Sequence, residues 1–122
     1  MPTAVTEGIR ITVEAVYLEE RSNPDDDTYA FAYVVAIANE GTSRVQLMRR
    51  HWIITDGNGE VREVEGPGVV GEQPVLDPGS VHRYTSGSVL ATPVGSMEGT
   101  YEMHEAGGRI FRARIPRFRL ER

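Results

Sequence analysis

Apolar and polar positions alternate along most of this chain, and the period is two, that of strands, rather than the 3.6 of helices. Residues 8–18 place Ile9, Ile11, Val13, Ala15 and Tyr17 on one face, with Arg10, Thr12 and Glu14 opposite. In 29–39, Tyr29, Phe31, Tyr33, Val35 and Ile37 share a face and Ala30, Ala32, Ala36 and Ala38 share the other. Apolar on both faces, this segment predicts a central strand packed on both sides, its aromatic and branched residues outweighing the helix-favouring alanines. Residues 44–56 change phase: Val45 and Leu47 have odd parity, Trp52 and Ile54 even, which predicts a bulge near 48–51. Asp56-Gly57-Asn58-Gly59 then predicts a hairpin, because Asp-Gly and Asn-Gly accept positive φ, and 60–65 returns as a short strand.

Further strands are read at 80–87, 97–103, 109–115 and 117–120. In the last two, Phe111, Ala113 and Ile115 are odd while Phe118 and Leu120 are even, so a bend at Pro116 on an edge strand is expected. Polar or proline-broken loops fill 19–28, 66–79 and 92–95. Helical periodicity and internal repeats are lacking. Seven to eight short strands with regular turn signals predict an all-β protein, an antiparallel β-sandwich.

At 122 residues the chain fits one domain, read as 8–122 after a flexible N-terminus at 1–7. Without cysteine it forms no disulfide, Cys-ligated metal centre or thiol nucleophile. The N-terminus lacks the basic start and apolar core of a secretion signal. No apolar run approaches the ~20 residues of a membrane span, so a cytoplasmic protein with no membrane role is expected. The net charge is −5, which argues against nucleic acid as a partner. Residues 109–122 depart from that balance, with six arginines and one acid.

Several motifs carry candidate chemistry. Gly66, Gly68 and Gly71 have GxGxxG spacing, the pattern that lets backbone amides approach a pyrophosphate. Here Pro74 and Pro78 follow, so no helix opens after the glycines; the loop is either a tight crossing or an anion-binding nest. Arg49 and Arg50 could supply a phosphate-binding guanidinium, and on a strand one of them faces solvent. These five residues form the candidate anion or nucleotide site. His51, His82 and His104 fall on different strands, and Asp25-Asp26-Asp27 lacks calcium-loop spacing, so no metal site is expected. Ser86-Gly87-Ser88 lacks the context of a hydrolase nucleophile, and no catalytic residue or cofactor is expected. The arginines near the C-terminus read as charge guarding a sheet edge, with RNA contact as the alternative. Trp52 reads as core.

FAYVVAIANEG (31–41), VQLMRRHWIITDGNGEVREVEGPGVVGEQPVLDPG (45–79), YTSGSVLATPVGSMEGTYEM (84–103) and FRARIPRFRL (111–120) together resemble the ApaG family. The resemblance implies an immunoglobulin/fibronectin type III-like sandwich. It also implies a bacterial gene often adjacent to those for a diadenosine tetraphosphate hydrolase and a ribosomal RNA dimethyltransferase. Similar domains occur in eukaryotic F-box proteins and a DNA-polymerase-interacting protein, where they look like interaction modules, and family names associate the group with cobalt and magnesium efflux. No reaction comes with the resemblance. The expectation is a non-enzymatic binding module for an unidentified protein partner. The alternatives are a nucleotide, pyrophosphate or diadenosine polyphosphate site at the glycine loop, and a role linked to cobalt or magnesium.

Overall fold

A computed structural model describes all 122 residues. Nine strands form: β1 (Thr3–Thr6), β2 (Ile9–Tyr17), β3 (Tyr29–Asn39), β4 (Val45–Asp56), β5 (Val61–Pro67), β6 (Val75–Leu76), β7 (Val81–Leu90), β8 (Val94–Glu105) and β9 (Ile110–Glu121). Two antiparallel sheets face each other, one ordered β1-β2-β3-β7 and the other β5-β4-β8-β9, with β6 also pairing β4. This is the antiparallel β-sandwich expected from the strand pattern, of the immunoglobulin/fibronectin type III-like kind that the resemblance implies. It exceeds seven to eight strands through two short additions, β1 and β6.

The alternation explains the core. Ile9, Ile11 and Val13 of β2 meet Phe31, Val35 and Ile37 of β3 on one inner face, and Leu47, Trp52, Met97, Met103, Ile115 and Leu120 come from the other. Trp52 is buried among the rings of Tyr33, Tyr101 and Phe118, at centroid distances of 5.4, 6.3 and 5.9 Å. The two phase changes are real. The β4–β8 register shifts between Leu47 and Arg49, the extra residue being Met48. Opposite the β8 step from Met97 to Gly99, β9 spends two residues, Pro116 and Arg117, between Ile115 and Phe118, so a single strand corrects its phase without breaking.

Four details depart from the pattern. The 1–7 stretch read as flexible carries β1, which pairs with β2 from Thr3 to Thr6. β3 is central in its sheet but packed on one side only: Val34 is exposed and Ala32, Ala36 and Ala38 are half-exposed. A face of small apolar residues looks the same in sequence whether covered or open, and a two-layer sandwich has no third layer to cover it. The 66–79 segment is not all loop, since β5 runs through Pro67 and β6 pairs with Val45 and Gln46. The 19–28 loop holds two short 3-10 turns, Glu19–Arg21 and Pro24–Asp26.

One buried polar residue ties these parts together. Asn39 donates from Nδ2 to the carbonyls of Ser43 (2.8 Å) and Leu76 (2.9 Å), and its Oδ1 accepts from the Gly41 amide (3.0 Å). It thereby fixes the β3–β4 turn and β6 at once.

The two lateral sides of the sandwich differ. On one, β9 packs against β1 and β2, and the Arg114 amide donates to Thr6 Oγ1 at 3.1 Å. On the other, β7 and β5 end their sheets without pairing to each other, and a groove opens between them.

Candidate functional site

The groove has a volume of about 640 Å³, within the range of ligand sites. Its walls are mostly apolar: Phe31, Trp52, Ile54, Val64, Val69, Val89 and Met97 contribute. Val64 points to the inner side of its sheet, on the same face as buried Trp52, yet remains 36% exposed at the sheet's edge. All charged residues lining the groove are arginines (Arg21, Arg50 and Arg62) and no histidine, aspartate or glutamate lines it. In a chain of net charge −5 this is a local reversal of sign.

Arg50 is the polar centre. The bulge at Met48 sets its parity to that of Trp52 and Ile54, so its side chain turns inward, whereas Arg49 is exposed on the outer face between Pro67 and Glu102 in register. Arg50 pairs in register with Gly66, and a Cβ there would lie 3.0–3.2 Å from its guanidinium. The glycine leaves the space that the arginine fills. Arg50 Nη1 donates to the carbonyls of Pro67 (2.9 Å) and Gly68 (3.1 Å). A guanidinium carries five N–H donors in a fixed fork, and these two bonds use one arm.

The glycine loop therefore meets the arginine through carbonyls. Several of its amides serve the loop itself: Gly68 N–H donates to the Met48 carbonyl at 2.9 Å, and Val69 and Glu72 exchange amide-to-carbonyl bonds at 2.8 and 3.0 Å. Gly68 has φ +62°, and a Cβ there would overlap the Glu72 carbonyl oxygen. Gly71 has φ +77° and open space around it. Of the five candidate residues, the fold brings together Arg50, Gly66 and Gly68, leaves Gly71 at the exposed tip and sends Arg49 to the other side of the sheet.

A cluster of hydroxyls stands behind Arg50. Tyr84 and Tyr101 are hydrogen-bonded through their hydroxyls, and Tyr33 stands opposite Ser86 in register. Burial pushes the titration of all three tyrosines above the ordinary value, and the positive charge of Arg50 opposes that shift in each. Farther along the groove the buried hydroxyl of Ser88 has no hydrogen-bond partner. Motif reading reaches only Ser86 and Ser88 among these hydroxyls, as nucleophile candidates, and misses the three tyrosines. The signal was present in β7, where the inward positions Tyr84, Ser86 and Ser88 are polar and the alternation is weak: a strand that lines an opening does not need apolar inward residues.

The other candidates stay apart. His51 pairs with Glu63 at 2.8 Å on β4–β5, His104 with Glu102 at 2.9 Å on β8, and His82 lies 3.7 Å from Glu72. Glu65 also lies 3.8 Å from His51, but no group of three or more His, Asp or Glu side chains is placed to hold a metal ion. Asp25–Asp27 lie in and just after the second 3-10 turn. Arg112 stands opposite Glu102 on the outer face, and Arg117 lies 3.9 Å from Glu98, so the arginines of β9 sit on a mixed-charge surface. No helix is long and apolar enough to cross a membrane.

Fold and groove together define a fibronectin type III-like sandwich with an arginine-centred opening between its sheets. The chain belongs to the ApaG family: the family model described as the ApaG domain matches residues 19–105. Protein ApaG of Azoarcus sp. (strain BH72) is 57% identical over 117 residues, 94% of this chain and 92% of that protein. Protein ApaG of Proteus mirabilis (strain HI4320) is 51% identical over 112 residues, covering 92% and 90%. A crystal structure of a Bordetella pertussis protein designated ApaA superposes with a TM-score of 0.91 at 44% identity, covering 98% of this chain and 94% of that one.

Proposed function

We propose that the domain is a non-enzymatic binding module acting in the cytoplasm, and that it engages a protein partner through the groove between β5 and β7. One observation carries this reading: the sandwich is closed at β1/β9 and open at β5/β7, where exposed Val64, Val70 and Val89 surround an arginine-centred opening. Contiguous exposed apolar surface with a few fixed polar groups is what recognition sites offer. The non-enzymatic part is supported by the lining, whose charged residues are all arginines, which do not serve as general bases. The test is affinity capture from bacterial lysate with the wild-type chain, with Val89→Trp, which obstructs the groove from its rim, and with Ile110→Glu as a distant surface control. A stoichiometric partner retained by the wild type and the control but lost from Val89→Trp is expected. Retention by Val89→Trp contradicts the reading.

A second reading, an anion or nucleotide site, is favoured by the donors Arg50 keeps free beside the glycine loop. Its test is an amide NMR titration with pyrophosphate, ATP and diadenosine tetraphosphate. Saturable shifts at Gly66, Gly68 and Gly71 support it, and flat spectra at millimolar ligand remove it.

A further inference from the structure

Four sheet edges compete for partners, and they are not equally defended. β1 is four residues long and lies against β9. β9 carries Arg112, Arg114, Arg117 and Arg119, with Pro116 among them. β5 carries Arg62, Glu63, Glu65 and Pro67. Short length, charge and proline are the devices that keep an edge from pairing with another chain. β7 is the least defended: VHRYTSGSVL is ten residues long, with a single charge, Arg83, and no proline. It pairs with β3 on one side only. Apart from its ladder with β3, no backbone hydrogen bond involves its residues. Two clasps mark the ends of the open stretch. Arg62 donates to the Val89 carbonyl at 3.4 Å, and Glu72 approaches His82 to 3.7 Å. Residues 83–88 lie between them, about 20 Å of strand at ~3.3 Å per residue.

Resting on the protein-binding reading above, we propose that this edge of β7 takes up an extended segment of a partner protein. The segment's backbone pairs with residues 83–88. Its apolar side chains alternate into the groove against Trp52 and Val64, and an aspartate or glutamate side chain reaches the free donors of Arg50. An exposed backbone edge calls for a strand, because main-chain pairing supplies affinity while pockets for alternate side chains supply specificity. A carboxylate is called for because Arg21, Arg50 and Arg62 line the groove with no acid among them.

The test pans random dodecapeptides displayed on phage against the folded full-length chain. The expected consensus alternates apolar residues around one acid. The leading peptide, made synthetically, shifts the amides of 83–88 in the labelled protein. Its affinity falls about tenfold or more with Arg50→Gln, as for a central arginine anchor, and also when alternate peptide amides are N-methylated. The second variant acts on the peptide, so it stays informative even if Arg50→Gln perturbs the protein. No enrichment overturns the proposal, and so does a peptide that tolerates N-methylation. Equal displacement by 3-phenylpropionate assigns the groove to small carboxylates and also overturns it. A concentration-dependent dimer abolished by Val89→Arg assigns the edge to a second copy instead, with the same consequence. If these arms fail while a folded partner is still lost from Val89→Trp, the edge mechanism falls and the protein-binding reading stands. If Val89→Trp also retains its partners, both fall.

Discussion

Arg50 and Gly66 face each other across β4 and β5, and the guanidinium of one occupies the space a side chain on the other would need. Gly66→Ala introduces a Cβ 3.0 Å from Arg50 Nη1, the far end of a flexible side chain. The fold should survive at a cost of about 1 kcal/mol, an ordinary single-substitution effect, while the guanidinium shifts away from the Pro67 and Gly68 carbonyls. Thermal unfolding together with the NMR signal of Arg50 Nε checks both parts.

Gly68 and Gly71 should behave differently although they belong to one motif. Both have positive φ, which costs an L-residue about 1–2 kcal/mol. Only at Gly68 does the added Cβ also overlap a backbone carbonyl, that of Glu72. Gly71→Ala should therefore cost about 1–2 kcal/mol, and Gly68→Ala measurably more, with the β5–β6 connection rearranged. Urea midpoints of the two variants side by side test this. Equal costs would contradict the loop geometry.

Asn39→Leu removes three hydrogen bonds that hold the β3–β4 turn and β6. The Leu76 carbonyl keeps only its ladder pairing with β4, and each lost bond costs about 0.5–1.5 kcal/mol net. Proteolysis should then open the chain first near 74–79, and amide exchange at Leu47, whose N–H donates to the Pro74 carbonyl, should accelerate.

Trp52→Ala empties the centre of the ring cluster formed with Tyr33, Tyr101 and Phe118. The expected loss is about 3–5 kcal/mol, a large part of the stability of a domain this size. Circular dichroism should show a marginal or unfolded chain at physiological temperature. An unchanged thermal midpoint would refute the core placement.

Stability should fall at high pH. Burial raises the titration of Tyr33, Tyr84 and Tyr101 in the folded state, so above the ordinary tyrosine value of about 10 the unfolded chain loses protons that the folded chain retains. The folded state then binds more protons, and unfolding becomes easier as pH rises: each tyrosine removes up to ~1.4 kcal/mol per pH unit until its folded value is passed. Below about pH 10 the contribution is fully present. Urea midpoints between about pH 8 and 11 should drop more steeply in the wild type than in Tyr84→Phe/Tyr101→Phe, which removes two of the three titrations.

The fold was legible because a sandwich writes itself as parity. Trp52 and Phe118 sit out of phase with Leu47 and Ile115, and those offsets located both bulges. β1 escaped notice because Thr3–Thr6 is short and offers no apolar stripe. The open outer face of β3 escaped because Ala32, Ala36 and Ala38 suit a covered or an uncovered surface equally. The candidate site was legible only in part. The glycine spacing marked the right loop, but motif reading looks to amides, and here the loop offers carbonyls to an arginine 17 and 18 residues earlier in the chain. That contact depends on strand register, as does the groove itself, whose walls β5 and β7 are brought together only by the stacking of two sheets.

The central claim is that the opening between β5 and β7 is where this domain binds. Site-specific photo-crosslinking in living bacteria tests it most directly, with a photoreactive residue placed in turn at Val64, Val70 and Val89 around the groove, and at Thr12, Ile53 and Arg114 away from it. The account predicts one adduct of defined mass from the groove positions and none from the others. Adducts from the outer positions alone, or none anywhere, would contradict it.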